Sequence, residues 1–109
     1  MVTFVPTLWT MRFNVVFTER ADDHLSGLRA RDQVRILDEI EEQLSFQPLT
    51  GTARRKELKG AAPSFEHVPP VWQLCVDAFR IIYDVDLHGA TVTVRAVLYK
   101  GNKTTKGIL

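Results

Sequence analysis

Residues 72–86 read WQLCVDAFRIIYDVD, and the fold turns on how this run alternates. Trp72, Leu74 and Val76 fall on one side of an extended chain, Gln73 and Cys75 on the other, because successive side chains of a strand point to opposite faces. Asp77-Ala78 supplies a two-residue turn. Beyond it Phe79, Ile81, Tyr83 and Val85 form a second apolar row, leaving Arg80, Ile82 and Asp84 on the opposite face. A further turn at His88-Gly89 leads into Thr91–Lys100. Strict alternation there sends Val92, Val94, Ala96 and Leu98 inward and Thr93, Arg95, Val97 and Tyr99 outward. Three strands joined by tight turns make an antiparallel meander with one apolar face, and that face needs a cover.

The cover lies upstream. RFNVVFT (12–18) reads as a strand. Residues 19–29 place Ala21, Leu25 and Leu28 at spacings of four and three, with Glu19, Asp22 and Asp23 in the first turn, where carboxylates suit the positive end of a helix dipole. A second, longer helix is expected from Asp32 as N-cap. Its stripe is Val34, Leu37, Ile40 and Leu44, widened by Ile36, and it ends before Pro48. Asp38, Glu39, Glu41 and Glu42 are expected in solvent. One or two residues between the helices imply an antiparallel hairpin. Residues 49–52 turn the chain, residues 54–60 (RRKELKG) look like a short basic strand at a sheet edge, and 61–70, with three prolines, is a loop. The sequence predicts an α+β domain: an N-terminal strand, a two-helix antiparallel hairpin, then a mainly antiparallel sheet with helices on one face and the other face open. That domain spans 12–109, and residues 1–11, without regular period, form an N-terminal extension.

At 109 residues the chain suits one domain with one core. Cys75 is the only cysteine, so no intrachain disulfide is possible, and a reducing cytoplasm is the expected setting. No apolar stretch approaches the ~20 residues that span a bilayer, and the start lacks a basic n-region, so neither a membrane span nor export is expected. The net charge of +1 conceals a split. Residues 1–49 hold five Lys/Arg against eight Asp/Glu, or −3, while 50–109 hold nine against five, or +4. Local charge sets the field that a ligand meets, so a polyanion can approach the basic half.

Several residues extend the pattern beyond the layer rules: Arg55-Lys56 with Leu58, then Trp72-Gln73-Leu74, then Phe79-Arg80-Ile81-Ile82-Tyr83, then Val94-Arg95-Ala96-Val97 leading to Lys100. In this order and spacing, over about residues 12–106, the chain resembles the RelE/ParE superfamily of toxins from type II toxin–antitoxin modules. The resemblance implies a toxin neutralised by a cognate antitoxin. RelE-like members cut mRNA in the ribosome, and ParE-like members inhibit DNA gyrase by binding, so the fold alone leaves the target open. A degenerate, non-catalytic member that only binds its antitoxin is the third reading.

For a metal-independent endoribonuclease, the resemblance puts Arg80 and Lys100 in the catalytic positions. A guanidinium presents a planar fork to phosphate oxygens, and cations stabilise the charge that grows on the phosphorus centre. Arg55, Lys56, Lys59 and Lys103 are candidate phosphate anchors, and Tyr99 a hydroxyl or stacking face for a base. Two departures stand out. Gln73 and Cys75 occupy a strand where ribosome-dependent RelE toxins carry alternating lysines, and the tail lacks those enzymes' tyrosine. His24, His67 and His88 read as ordinary helix, loop and turn residues, and Arg80 has a structural alternative as partner of Asp84. No Cys/His spacing suits zinc and no Gly-rich loop opens a helix, so no metal and no cofactor is expected.

Overall fold

The computed structural model places residues 11–60, 62–101 and 103–109. Of the expected N-terminal extension, only Met11 is among them, and it packs against the main core. The elements run β1 (Asn14–Phe17), α1 (Glu19–Ser26), α2 (Ala30–Leu44), β2 (Arg55–Glu57), β3 (Trp72–Val76), β4 (Phe79–Asp86), β5 (Thr91–Tyr99) and α3 (Thr105–Ile108). The five strands form one sheet in the order β1-β5-β4-β3-β2. β1 runs parallel to β5, and every other pairing is antiparallel. No helix among the described residues is long and apolar enough to cross a membrane.

The expected hairpin is present: Trp72 faces Tyr83 and Val76 faces Phe79. Asp77 takes a positive φ of 53° in the turn, a conformation that Asp tolerates better than most side chains. Ile81, Tyr83, Val92, Val94, Trp72 and Leu74 meet Ile36, Ile40 and Leu44 of α2 and Ala21 and Leu25 of α1 in the main core. Tyr83 is fully buried, stacks near Trp72 at 6.5 Å, and donates its hydroxyl proton to the Pro48 carbonyl at 2.5 Å. Burial pushes its pKa up strongly, so the phenol stays protonated.

Four features depart from the sequence-based expectation. First, the β4–β5 ladder carries a bulge. Ile82 pairs with Ala96 but Tyr83 pairs with Val94, so Arg95 is an extra residue. Past it the faces exchange: Val97 joins the main core, while Ala96 and Leu98 turn to the other side of the sheet. Tyr99 therefore sits beside Phe79 on the helix side, ring centroids 5.7 Å apart.

Second, the face expected to be open is half covered. Phe65 and Val71 from the proline-rich loop, with Leu58 and Leu109, pack on Ile82, Ala96 and Leu98 in a second small core. The tail forms the short helix α3, which brings Leu109 into place. Apolar positions 82, 96 and 98 on that face explain the cover, since leaving them bare would forfeit roughly 25 cal/mol per Å².

Third, α2 is rotated from its expected phase. Val34 and Leu37 are exposed, and Ile36, Glu39, Ile40 and Leu44 are buried. Glu39 tolerates burial because two arginines reach it, Arg35 at 2.5 Å and Arg54 at 2.6 Å. Fourth, the helix boundaries shift: α1 ends at Ser26, and α2 begins at Ala30 with Arg29 at its cap and no side-chain capping bond, so Asp32 lies in the first turn rather than at the cap.

Candidate phosphate-binding site at the end of the sheet

Because Phe65 and Leu109 cover the middle of the non-helical face, what remains bare is the end nearest the β3–β4 turn. On β4, Arg80 pairs with Cys75 of β3 on one side and Leu98 of β5 on the other. Lys100 continues β5 by one residue, its N–H donating to the Ala78 carbonyl at 2.7 Å. The alternation of the ladder puts Lys100 on the same face as Leu98 and hence diagonal to Arg80. Lys56 pairs with Gln73, so it shares this face from the edge strand. The sheet thus gathers three cations that are far apart in sequence.

Arg80 is only partly committed. Its Nη1 donates to the Asp77 carbonyl at 2.9 Å and the Phe79 carbonyl at 2.8 Å, both within its own turn. Its Nε is shielded from solvent and has no hydrogen-bond partner among the described residues. The expected alternative partner, Asp84, is taken: its carboxylate accepts from Arg95 Nε at 2.8 Å, Arg95 Nη2 at 3.2 Å and the Val68 N–H at 2.9 Å. Among the described residues, no carboxylate lies within ion-pair distance of Arg80, Lys56 or Lys100. Arg80 Nη2 makes no hydrogen bond among the described residues, and a phosphate oxygen is an acceptor of the right charge for it.

The remaining candidates divide. Lys59 and Lys103 are exposed, Lys103 in the turn whose N–H bonds back to the Lys100 carbonyl at 3.0 Å. Arg55 is on the other side of the sheet. It is buried, pairs with Leu74, and donates from Nη1 to the Gln43 carbonyl in the last turn of α2. There it satisfies a helix C-terminus and not a ligand. Tyr99, by the bulge, points away from the Arg80 face.

Sequence reasoning passed over the support of the turn. Arg35 Nε approaches the Asp77 carboxylate at 3.4 Å while its Nη1 holds Glu39, and Arg54 reaches Glu39 from the edge strand. The signal was present in Asp77-Ala78, a two-residue turn directly before the strand arginine. Among the described residues, the histidine at this end of the sheet is His24, on the outer edge of β5 one residue from Leu98, which pairs with Arg80. His24 Nδ1 accepts the Val97 N–H, His67 bonds the Phe65 carbonyl, and His88 lies in the β4–β5 turn. Nor do three metal-ligating side chains come together among these residues. Guanidinium and ammonium groups such as those of Arg80, Lys56 and Lys100 are donors suited to phosphate oxygens.

No protein-family model matches the sequence, and no curated protein is found similar to it. Solved structures are similar in fold. A chain of the RelBE2 toxin–antitoxin complex of Mycobacterium tuberculosis superposes with a TM-score of 0.65 at 21% identity, covering 82% of this chain and 99% of its own. The archaeal RelE–RelB complex of Pyrococcus horikoshii gives 0.54 at 16% identity over 84% of this chain and 99% of the other. The E. coli RelBE toxin–antitoxin complex gives 0.52 at 19% identity over 78% and 93%. At these identities the likeness is one of architecture, and the chain has the RelE fold.

Proposed function

We infer that this protein is the toxin of a type II toxin–antitoxin module, an endoribonuclease that cleaves mRNA at the ribosome and is neutralised by a cognate antitoxin. The observation that carries the reading is a set of cations on one face of the sheet with no carboxylate partner among the described residues: Arg80, Lys100 diagonal to it, and Lys56 across β3. The similar solved structures, all toxin–antitoxin complexes, support the partner.

In such a reaction the ribose 2′-oxygen attacks the adjacent phosphorus, the P–O5′ bond breaks, and the 5′-oxygen takes up a proton. Arg80 is assigned to the phosphoryl oxygens through its Nη2, and Lys100 to the charge that develops on the same group. Lys56, Lys59 and Lys103 hold flanking phosphates and set register without reading bases. With Gln73 and Cys75 on β3, and His24 Nδ1 occupied by the Val97 N–H, the contribution assigned to this chain is charge stabilisation.

The test is induction of the chain without a partner in bacteria, following growth, transcript ends and plasmid supercoiling in one culture. New transcript ends with unchanged supercoiling are expected. Arg80→Ala should remove about 2–4 kcal/mol of transition-state stabilisation, roughly 30- to 1,000-fold in rate, in a folded protein. Altered supercoiling with intact transcripts would place the target at gyrase and overturn the ribonuclease reading.

A further inference from the structure

β4 is longer than the strand beside it. Its pairing with β3 stops at Trp72–Tyr83, while β4 continues through Asp84, Val85 and Asp86 on the β5 side alone. The reason lies in the sequence before β3: Pro69 and Pro70 have no N–H to give, so the ladder cannot extend past Val71. Of the last three residues of β4, Val85 therefore turns its N–H and C=O to a side with no strand beside it, while Asp84 is buried with the Val68 N–H on its carboxylate. Beside it lies a cavity of about 560 Å³ with an apolar wall of Leu49, Val68, Pro70, Val85 and Leu87 and a polar one that includes His88 and the Asp84-paired Arg95. Val68 and Leu87 are about half exposed, at 55% and 46%. Asp86, at the rim, has no ion-pair partner among the described residues.

We propose that this tail of β4 is a strand-addition site for an extended segment of a partner protein, with apolar side chains at alternate positions and one Lys or Arg to meet Asp86. An unpaired edge selects an extended backbone, the apolar wall selects the side chains spaced two apart, and the Asp86 carboxylate, which accepts the His88 N–H but has no cation among the described residues, selects the charge. The other end of the sheet behaves differently. The outer edge of β2 is three residues long and carries Lys56, the kind of charge that discourages pairing. Arg80 stands six residues back along β4, ~20 Å at strand spacing. A segment seated here anchors a partner without touching the cationic site, and leaves a separate part of that partner to mask it. The identity of the partner rests on the antitoxin reading given above.

The experiment uses the full chain co-expressed with the product of the reading frame adjacent to its own, and measures amide hydrogen exchange of the free and bound chain. Those amides of residues 84–87 that are not bonded to β5 should slow about tenfold or more on binding. Leu87→Asp and Val68→Asp, both at exposed positions, should weaken binding about tenfold or more while leaving growth arrest by the uninhibited chain unchanged. A bound complex in which residues 84–87 exchange as in the free chain overturns the proposal, even if Arg80→Ala abolishes toxicity and the ribonuclease reading stands. Protection of 84–87 in a chain without nuclease activity supports the docking edge and removes the enzyme reading instead. Slow exchange already present in the free chain, and lost when residues 1–10 are deleted, would give the edge to this chain's own N-terminus and also overturn the proposal.

Discussion

Replacing Asp84 by alanine should be among the most damaging single changes outside the apolar core. The Asp84 side chain is 6% exposed and the Arg95 side chain 13%, and two bonds of 2.8 and 3.2 Å join them. The same carboxylate accepts the Val68 N–H at 2.9 Å, which ties the proline-rich loop to the sheet. Asp84→Ala leaves a desolvated guanidinium without a counter-charge, a loss of about 3–5 kcal/mol. It also takes the acceptor from Val68, about 1 kcal/mol more. Against a typical total of roughly 5–15 kcal/mol the change is severe. At about 4–8 °C per kcal/mol for a domain near this size, the melting temperature should fall by ~15 °C or more. Urea titration followed by circular dichroism measures it, with the midpoint falling at constant slope. Two comparisons sharpen the result. Arg12 and Glu41 form an equally short pair at 2.6 Å, but both side chains are 61% exposed, so Arg12→Ala should cost under about 1 kcal/mol. The double change Asp84→Leu with Arg95→Met should recover most of the loss, because no lone charge remains. If Asp84→Ala were as mild as Arg12→Ala, the pair would be solvated and this reasoning refuted.

Tyr83→Phe removes the hydroxyl that donates to the buried Pro48 carbonyl and should cost about 1–2 kcal/mol by the same denaturation assay, while Trp72 packing is kept. An unchanged midpoint would mean that water replaces the phenol there. His24 should make stability depend on pH. Burial, with a smaller contribution from Arg20, lowers its pKa below the usual 6.5, and its Nδ1 accepts the Val97 N–H only while unprotonated. The unfolded chain therefore binds the proton more readily than the folded one. This share of stability is complete above pH 6.5 and drains away as pH falls toward the folded-state pKa. His24→Gln should flatten that part of the pH–stability curve, and a slope identical to that of the parent would rule the histidine out.

The meander, the helical hairpin and the edge position of β2 were legible because period-two and 3.6-residue patterns depend only on which residues neighbour one another along the chain. What escaped was set by contacts distant in sequence. The bulge at Arg95 cannot be read from Thr91–Lys100, whose alternation is unbroken in either register. It is held from outside, by Thr18, whose hydroxyl donates to the Arg95 carbonyl at 3.1 Å, by His24 on the Val97 N–H, and by Asp84 on the guanidinium. One inserted residue exchanges the faces beyond it, so every side-chain direction past Arg95 was assigned to the wrong side. The phase of α2 failed for a related reason: Glu39 reads as a solvent residue until Arg35 and Arg54 arrive from one turn away and from the edge strand.

The same bulge decides the composition of the candidate site. Without it Leu98 would face the helices and Lys100 with it, while Tyr99 would stand beside Arg80 on the bare face. With it, Lys100 joins Arg80, Tyr99 packs on Phe79, and Ala96 and Leu98 become the floor on which Phe65 and Leu109 settle. The cover over the middle of that face and the cation pair at its end are therefore consequences of one local irregularity. Arg95 holds it in place through the Asp84 carboxylate. The Asp84–Arg95 pair ties down the bulged stretch of the sheet, and Arg80, four residues back along β4, keeps a guanidinium bonded, among the described residues, only through Nη1, to backbone carbonyls of its own turn.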